Sequence, residues 1–366
     1  MIKCRLCGTK YASEFLQICV DCIRNENPQA LEFILSAFIK SRTQFDLPIY
    51  PPKTTNGISC DLCFNECKMG SGDIGFCGIR KNINGKIVGP TQDKALLHEY
   101  YDRNPTNCCA AWFCPAQTGC GYPKFTQYEN GEYRTLNHSI FFYGCNFNCL
   151  YCQNASHKTQ QHLVSYTSIE RVFHKAIRDD VTCVCYFGGS PEPHFPFALN
   201  LSEKLIENPG VKRICWEWNG GGNQKLVLKA ANYSLISGGN VKFDLKAYNP
   251  LVSKALLGVS VERTYQNFIN VANLFDQRPE VPLLTATTLL VPYYVDEVEI
   301  ASITQFIADI NPHIPYSMLV FHPQFFLSDL PITPISQVKT CYQTAKKNLK
   351  NVHVGNLHLL GNIHLD

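Results

Sequence analysis

The chain has 366 residues, a formal net charge of +3, 45% hydrophobic and 17% charged residues, and nineteen cysteines. This length predicts one large domain with one or two small modules, and the charge gives no basic footprint for nucleic acid. We find no apolar signal segment and no run of ~18 apolar residues, so we expect a cytoplasmic protein without a membrane partner. In such a compartment, clustered cysteines bind metal more often than they pair with each other.

The first cysteines form two C-x2-C pairs separated by eleven residues: Cys4 with Cys7, and Cys19 with Cys22. This spacing is typical of a zinc ribbon, in which the metal folds a segment too short to bury a core. Rubredoxin-like iron at the same cysteines is the alternative. We assign residues 1–45 to this ribbon and to the short apolar helix, ALEFILSAFIK, that follows it.

Residues 46–136 form a second cysteine-rich module, which begins at a proline-rich link. Its first group is a four-ligand set that fits either structural zinc or an auxiliary iron–sulfur cluster, and we favour the cluster. The members of this set are Cys60, Cys63, Cys67 and Cys77. The second group is looser and supplies metal ligands, a redox pair or buried free thiols. It consists of Cys108, Cys109, Cys114 and Cys120.

From residue 137 to residue 366, short apolar runs alternate with helical patterns. The strand-like runs lie at 138–144, 182–188, 213–218, 241–247, 282–291, 316–322 and 352–360. Capping patterns at Thr167 and at Asp296 predict the starts of two of the helices between them. This alternation predicts an α/β fold, a partial or complete (β/α) barrel, with its active site at the carboxyl ends of the strands.

The loop after the first barrel strand reads GCNFNCLYCQN and holds Cys145, Cys149 and Cys152. Thiolates select zinc or iron–sulfur clusters, and a closed zinc site needs four ligands. Three cysteines on one loop suit a [4Fe–4S] cluster with one open iron. A zinc site completed elsewhere in the chain is the alternative.

This loop, with Tyr151 before its last cysteine, resembles the C-x3-C-x-aromatic-C motif of the radical SAM superfamily. The resemblance implies that the open iron is chelated by the amino and carboxylate groups of S-adenosylmethionine. It also implies that one electron from the cluster cleaves this cofactor to a 5′-deoxyadenosyl radical.

Later strand ends carry the same resemblance and imply further cofactor-binding residues. YFGGSPEPH resembles the Gly-Gly-Glu-Pro segment, WEWNGGGN the Glu-x-Asn-Gly turn, FDLKAYN the Asp-Leu-Lys element, and LVFHP the segment with a cofactor-facing histidine. The implied residues are Gly188, Gly189, Ser190, Glu192, Glu217, Asn219, Asp244, Lys246 and His322. The chain departs from the family pattern where Ser190 takes the acidic position and where Tyr293 replaces a glycine.

Within the superfamily, residues 58–366 are most similar to the pyruvate formate-lyase activating enzyme-like group, including the radical SAM component of AmmeMemoRadiSam systems. The resemblance implies hydrogen abstraction from a substrate, such as a protein glycine, and a one-electron reductant such as flavodoxin or ferredoxin. Modification of a small metabolite or lipid is the alternative enzyme function. A non-catalytic electron-transfer or scaffold protein, and a zinc-dependent nucleic-acid binder, are the alternatives from other classes.

Overall fold

The computed structural model describes residues 1–106, 108–208, 210, 212–361 and 365. Within these residues the strands are β1 (Ile2–Lys3), β2 (Tyr11–Ala12), β3 (Ile58–Cys60), β4 (Cys67–Met69), β5 (Lys81–Ile83), β6 (Lys86–Val88), β7 (Lys94–Arg103), β8 (Leu136–Phe142), β9 (Tyr166–Ser168), β10 (Val181–Gly188), β11 (Arg213–Trp218), β12 (Val241–Asp244), β13 (Leu284–Leu290), β14 (Tyr316–Val320) and β15 (Val352–Gly355). The helices are α1 (Val20–Arg24), α2 (Pro28–Thr43), α3 (Pro115–Thr118), α4 (Ser156–Thr159), α5 (Ile169–Ala176), α6 (Phe195–Glu207), α7 (Gln224–Ser237), α8 (Pro250–Leu257), α9 (Glu262–Ala272), α10 (Glu297–Ile310) and α11 (Ile335–Asn348).

A nine-stranded sheet forms the centre of the protein, in the order β15-β14-β13-β12-β11-β10-β8-β7-β9. β8 and β10 to β15 run parallel to one another and are joined in chain order through helices. β7 and β9 add an antiparallel edge. Among the described residues, β9 and β15 are not paired with each other, so the seven parallel strands form a partial barrel. The predicted α/β fold with a mostly parallel sheet is confirmed.

The parallel strands are apolar because helices and the barrel interior cover both of their faces. All seven residues of β13 are buried, for example. Strand ends differ from the prediction where polar turns interrupt the apolar runs. β12 ends at Asp244 rather than at residue 247, and β15 ends at Gly355 because Asn356 adopts a left-handed backbone with φ of 62°.

Helix α10 begins at the predicted cap. The Asp296 carboxylate accepts hydrogen bonds from the backbone N–H groups of Val298 and Glu299, at 3.2 and 3.3 Å. Glu299 does not complete a capping box, because its carboxylate accepts from the backbone N–H groups of Tyr248 and Asn249 instead, at 2.7 and 3.1 Å. The side chain thus joins α10 to the turn after β12.

Helix α5 begins one residue later than predicted. Ser168, not Thr167, is the N-cap, and its hydroxyl accepts from the Arg171 N–H at 3.4 Å. Thr167 lies in β9, opposite Ala95 of β7. The sequence prediction missed both of these strands, and pairing with β7 holds Thr167 in the extended conformation.

Residues 104–106 and 108–135, which we call the plug segment, connect β7 to β8 through the amino-terminal end of the barrel. The Trp112 Nε1 donates to the Ser317 hydroxyl of β14 at 3.0 Å. The Arg213 guanidinium, at the start of β11, donates to the Phe125 carbonyl at 2.8 Å and forms a buried ion pair with Glu132. The plug segment therefore occupies the barrel interior at the amino ends of the strands.

The N-terminal ribbon is bonded to the barrel beside the loop that precedes α10. The Tyr294 hydroxyl accepts from the Ser13 N–H and donates to the Ile18 carbonyl, both at 3.0 Å. Arg24 donates to the Asp296 carboxylate at 2.7 Å. The division into residues 1–45, 46–136 and 137–366 stays a prediction. Among the described residues, no helix has the length and apolarity needed to cross a bilayer.

Candidate active site

A cavity of about 200 Å³ lies at the carboxyl ends of the parallel strands. Five of those strands and the loop after β8 line it, so the sheet curves around it. The lining residues are Cys109, Cys145, Phe147, Cys149, Tyr151, Cys152, Gln153, Asn154, His157, Phe187, Gly188, Gly189, Glu217, Trp218, Asn219, Lys242, Asp244, Lys246, Thr287, Leu289 and Leu319.

Three thiols meet in this cavity on residues 145–152, which we call the cysteine loop. The loop is fixed against the end of α8, because the N–H groups of Asn148 and Leu150 donate to the carbonyls of Leu257 and Leu256, each at 2.9 Å. Burial raises the pKa of Cys149 to about 11. Uncharged thiols are thus favoured until a metal takes the place of the protons.

The spacing of these three sulfur atoms differs from that of a single-ion site. Among the described residues, only the four cysteines of the N-terminal ribbon bring all their sulfur atoms within 4.8 Å of one another. The cysteine-loop sulfurs are spread wider. Ligands that bind different irons of one cluster need this wider spacing, so the loop fits a [4Fe–4S] cluster better than one zinc ion.

The Gly188–Gly189 turn at the end of β10 packs directly on β8 and the start of the cysteine loop. Gly188 has φ of 116°, and a Cβ atom there would lie 2.5 Å from the Phe142 nitrogen. A Cβ on Gly189 would collide with the Gly144 carbonyl oxygen. Glycine is therefore required at both positions, and it leaves backbone groups at the wall of the cavity.

Ser190 and Glu192 lie behind this turn, outside the cavity lining. The Ser190 hydroxyl donates to the Glu192 carboxylate, and Asn219 in turn donates to Ser190 at 2.9 Å. Burial raises the pKa of Glu192 to about 7. These two side chains support the Asn219 amide rather than face the cavity.

Asn219, at the end of β11, joins the strand to the cysteine loop. Its amide donates to the Asn146 side-chain oxygen at 2.6 Å and lies 3.7 Å from the Cys145 sulfur. Its own side-chain oxygen accepts from the Gly221 N–H at 2.9 Å. The amide is thus held at a fixed position on the cavity wall.

Four charged groups form a chain along the inner face of β11 and β12. Lys246 donates to Asp244 at 2.7 Å, and Lys242 lies 3.0 Å from Asp244 and 3.3 Å from Glu217. Burial alone would raise the pKa of Asp244, but Lys242 and Lys246 lower it to about 2. Sequence reasoning missed Lys242. Its position two residues before Asp244, on the same face of the strand, was the available signal.

Three further polar groups in the cavity wall are buried and unpaired, and none was predicted except Tyr151. The Tyr151 hydroxyl, His157 Nδ1 and Trp218 Nε1 have no hydrogen-bond partner among the described residues. Burial lowers the pKa of His157 to about 3, so its imidazole is neutral. Each unpaired group costs about 1–3 kcal/mol, which a polar ligand in the cavity would recover.

His322 lies apart from the other predicted cofactor-binding residues. Its side chain is exposed, in the loop after β14, and it is not among the residues that line the cavity. The structure therefore brings together Tyr151, Gly188, Gly189, Glu217, Asn219, Asp244 and Lys246 with the three cysteines, places Ser190 and Glu192 behind them, and leaves His322 outside.

The N-terminal cysteines form a compact four-sulfur group. The Cys4 and Cys22 sulfurs lie 3.8 Å apart, and those of Cys7 and Cys19 lie 3.7 Å apart. Tetrahedral coordination with metal–sulfur bonds of about 2.3 Å places neighbouring sulfurs about 3.8 Å apart. The geometry therefore fits one tetrahedral metal ion.

The second cysteine group lies against the turn that follows β11. Cys60 and Cys67 are cross-strand partners in β3 and β4, and Cys63 forms a bridge with Gly222. Burial, followed by the charges of Cys77 and the other two thiols, raises the pKa of Cys63. These sulfurs share one neighbourhood, although in the described structure they lack the close spacing found in the ribbon.

The plug-segment cysteines do not share one centre. Cys109 lines the active-site cavity, and the Cys108 thiol donates to Glu217 at 3.0 Å. The Cys120 thiol donates to the Phe113 carbonyl at 3.1 Å. Cys114 lines a separate cavity of about 30 Å³, together with Cys108, Cys183, Cys185 and Cys215.

One family model matches part of the chain. Residues 139–306 match the model of the Radical SAM superfamily. An uncharacterized protein of Methanocaldococcus jannaschii, MJ0808, is 25% identical over 317 residues, which cover 84% of each chain.

Two solved structures are also similar. Streptococcus suis SuiB bound to its precursor peptide SuiA has a TM-score of 0.43 and 14% identity, over 59% of this chain and 47% of SuiB. A domain of the pyruvate-formate lyase-activating enzyme from Bacteroides vulgatus has a TM-score of 0.38 and 16% identity, over 48% of this chain and 99% of that domain. The chain spans about half the length of the SuiB structure it matches.

Proposed function

Residues 139–306 of this chain form a Radical SAM domain, and from that premise we propose that the protein cleaves S-adenosylmethionine reductively and abstracts hydrogen from a substrate. Cysteine thiolates at this site would hold a [4Fe–4S] cluster, which would supply the single electron for cleavage of the cofactor and so for hydrogen abstraction from the substrate. The convergence of three cysteines, a fixed amide and buried unpaired polar groups on one cavity supports this proposal.

Cys145, Cys149 and Cys152 would hold the cluster. Asn219 and the backbone of the Gly188–Gly189 turn would orient the methionyl end of the cofactor, because they border the cysteine loop. Their fixed positions reduce the entropy lost when the cofactor is ordered.

The charged pair Asp244 and Lys246, which lines the same cavity, would bind polar groups of the same cofactor. Both remain ionised, since each holds the other in its charged form. The buried Trp218 and the partly buried Leu319 would help to exclude water from the cavity. His322 stays a predicted cofactor-binding residue, although its exposed side chain does not line the cavity.

For the substrate we propose a protein residue, as in glycyl-radical activation. The partial barrel supports this, because a sheet that is not closed between β15 and β9 is better suited to a peptide loop than a complete barrel. A small metabolite or lipid is the second candidate. The plug segment favours it, since Cys109 narrows the cavity from the amino-terminal end of the barrel.

At the other cysteine sites we propose zinc in the N-terminal ribbon and an auxiliary iron–sulfur cluster at Cys60, Cys63, Cys67 and Cys77. The sulfur spacing supports the difference, because it is tetrahedral in the ribbon and wider in the second group. A scaffold or electron-carrier protein would not need buried polar groups without hydrogen-bond partners around a cavity. These groups therefore favour an enzyme that binds a polar ligand there.

The test is anaerobic formation of 5′-deoxyadenosine after reconstitution with iron and sulfide, using dithionite as reductant. We expect product from the wild-type protein and none from Cys149→Ala, with ribbon zinc unchanged in the variant. Cys341→Ala, which removes a buried thiol from α11 outside the cavity, is the matched control and should keep activity. Product from Cys149→Ala would show that the cysteine loop is misassigned.

A further inference from the structure

An apolar groove of about 440 Å³ lies on the outer side of the cysteine loop. We call it the α2 groove, and its walls include Leu31, Leu35, Phe38, Tyr50, Phe64 and Lys254. We propose that a small acidic one-electron carrier protein docks in this groove to reduce the centre held by the cysteine loop. The inference rests on the proposed function, which requires a supply of single electrons.

The groove floor is in direct contact with the cysteine loop. The Phe64 ring packs edge-on against Phe147 with ring centroids 5.6 Å apart, and Phe147 is one of the residues between Cys145 and Cys149. The neighbouring Asn65 amide donates to the Asn146 carbonyl at 2.9 Å. A partner in the groove is therefore separated from the cysteine loop by one layer of side chains.

The groove exposes large apolar side chains to solvent. Leu31 is 48% exposed, Leu35 42% and Tyr50 58%, whereas Ile34, which also lines the groove, is buried. Contiguous exposed apolar surface of this kind marks an interaction site. Redox proteins meet through small, transient interfaces, and a short exposed apolar surface of this kind can serve one.

The charge around the groove favours an acidic partner. Lys254 is the one charged side chain among the described residues that line it, and it is exposed. The exposed Lys53 donates to the carbonyls of Asn65 and Glu66 beside the groove, at 3.1 and 2.9 Å. Neither lysine has a carboxylate within ion-pair distance in the described structure, and Glu66 is paired with Arg263. Two uncompensated cations at an apolar surface attract a partner with a carboxylate rim.

The experiment compares two reductants on the reconstituted full chain. 5′-Deoxyadenosine formation is measured with flavodoxin, reduced by NADPH and its reductase, and separately with dithionite, which needs no docking site. Lys254→Glu should raise the KM for flavodoxin about tenfold, because an attraction becomes a repulsion. Leu35→Gln, which changes no charge, should raise it roughly fivefold through lost apolar contact. With dithionite, both variants should form 5′-deoxyadenosine at a rate within about twofold of the wild-type rate.

Matched controls lie on other helices: Lys346→Glu on α11 and Ile236→Gln on α7, both exposed positions. Their KM for flavodoxin should stay at the wild-type value. The proposal is overturned if the groove variants use flavodoxin as well as the wild type does, or if they lose the dithionite rate equally. It is also overturned if the groove holds a second copy, seen as a wild-type dimer that the variants abolish. If the wild-type protein forms no 5′-deoxyadenosine with dithionite, the proposed function itself is rejected.

Discussion

Two buried cations meet at the side-chain oxygen of Asn148, within the cysteine loop. Lys158 donates to it at 2.6 Å, and Arg42 lies 3.4 Å from it. Burial lowers the pKa of Lys158 to about 8 and that of Arg42 to about 9. Neither forms an ion pair with a carboxylate within the described parts of the chain, so the negative charge of a thiolate-bound cluster is the partner that would justify their burial.

Lys158→Met should therefore lower the reduction potential of the reconstituted cluster. Loss of one nearby positive charge shifts the potential by on the order of 50 mV, since net charge is one of its main determinants. The measurement is a redox titration followed by electron paramagnetic resonance. Lys175→Met, at a partly exposed lysine that pairs with Glu99 on β7, is the control. An unchanged potential in Lys158→Met would contradict this role.

The free energy of unfolding should depend on pH through Glu192. Burial raises its pKa to about 7, above the ordinary value of 4.5. A carboxyl group whose pKa is higher in the folded than in the unfolded protein stabilises the fold fully at pH values below its unfolded pKa. This stabilisation is lost as the pH rises through the folded-state pKa of about 7. Glu192→Gln should thus raise the free energy of unfolding at pH 8 by roughly 2–3 kcal/mol and change it little at pH 4. Urea denaturation of the metal-free protein at both pH values tests this, and an equal effect at both would refute it.

At the residue scale, the motifs predicted most of the groups that now surround the cavity. The cysteine loop, Asn219, Asp244 and Lys246 could be found because each lies at the carboxyl end of a strand or just after it. His157 and Trp218 could not, because a lone histidine in a short helix and a tryptophan in a buried strand have the same sequence signature as core residues. Their unpaired nitrogens become visible only in three dimensions.

At the scale of elements, β10 packs on β8 so closely at Gly188 that this position has no room for a side chain. A methyl group on Gly188 would meet the Phe142 nitrogen, whereas one on Gly85, in the β5–β6 turn, would meet nothing within 4 Å. Both glycines have positive φ, 116° and 80°, so Gly85→Ala isolates the backbone strain.

Gly188→Ala should lower the free energy of unfolding by roughly 2–4 kcal/mol, and Gly85→Ala by only about 1 kcal/mol. The difference arises from the collision with β8. Urea denaturation of the metal-free variants measures both values. Equal losses would mean that β10 can move away from β8 at no cost.

The parallel strands could be predicted because each is a continuous apolar run between helix signals. β7 and β9 could not be predicted. The sequence of β7, KALLHEYYDR, includes several charged residues, and β9 has only three residues. Their pairing depends on contacts distant in sequence. The path of the plug segment could not be predicted either, because the Arg213 and Glu132 side chains that hold it lie 81 positions apart in the sequence.

At the scale of the whole molecule, the ribbon and the barrel are coupled through Tyr294 and Arg24. Metal binding in the ribbon therefore contributes to the stability of the joined structure. Cys7→Ser should remove one zinc per chain and lower the melting temperature by about 4 °C, which corresponds to ~2 kcal/mol. Elemental analysis and calorimetry test this, and Cys120→Ser is the control. Retention of the full zinc content by Cys7→Ser would contradict the assignment.

We propose that the cysteine loop holds a cluster with one iron open to S-adenosylmethionine. The most direct measurement is electron paramagnetic resonance of the dithionite-reduced, reconstituted protein, with S-adenosylmethionine carrying an isotope label in its carboxylate. We expect a shifted spectrum with hyperfine coupling between the label and the cluster, and we expect neither in Cys149→Ala. A spectrum unaffected by the cofactor, or a protein that binds only zinc, would contradict it.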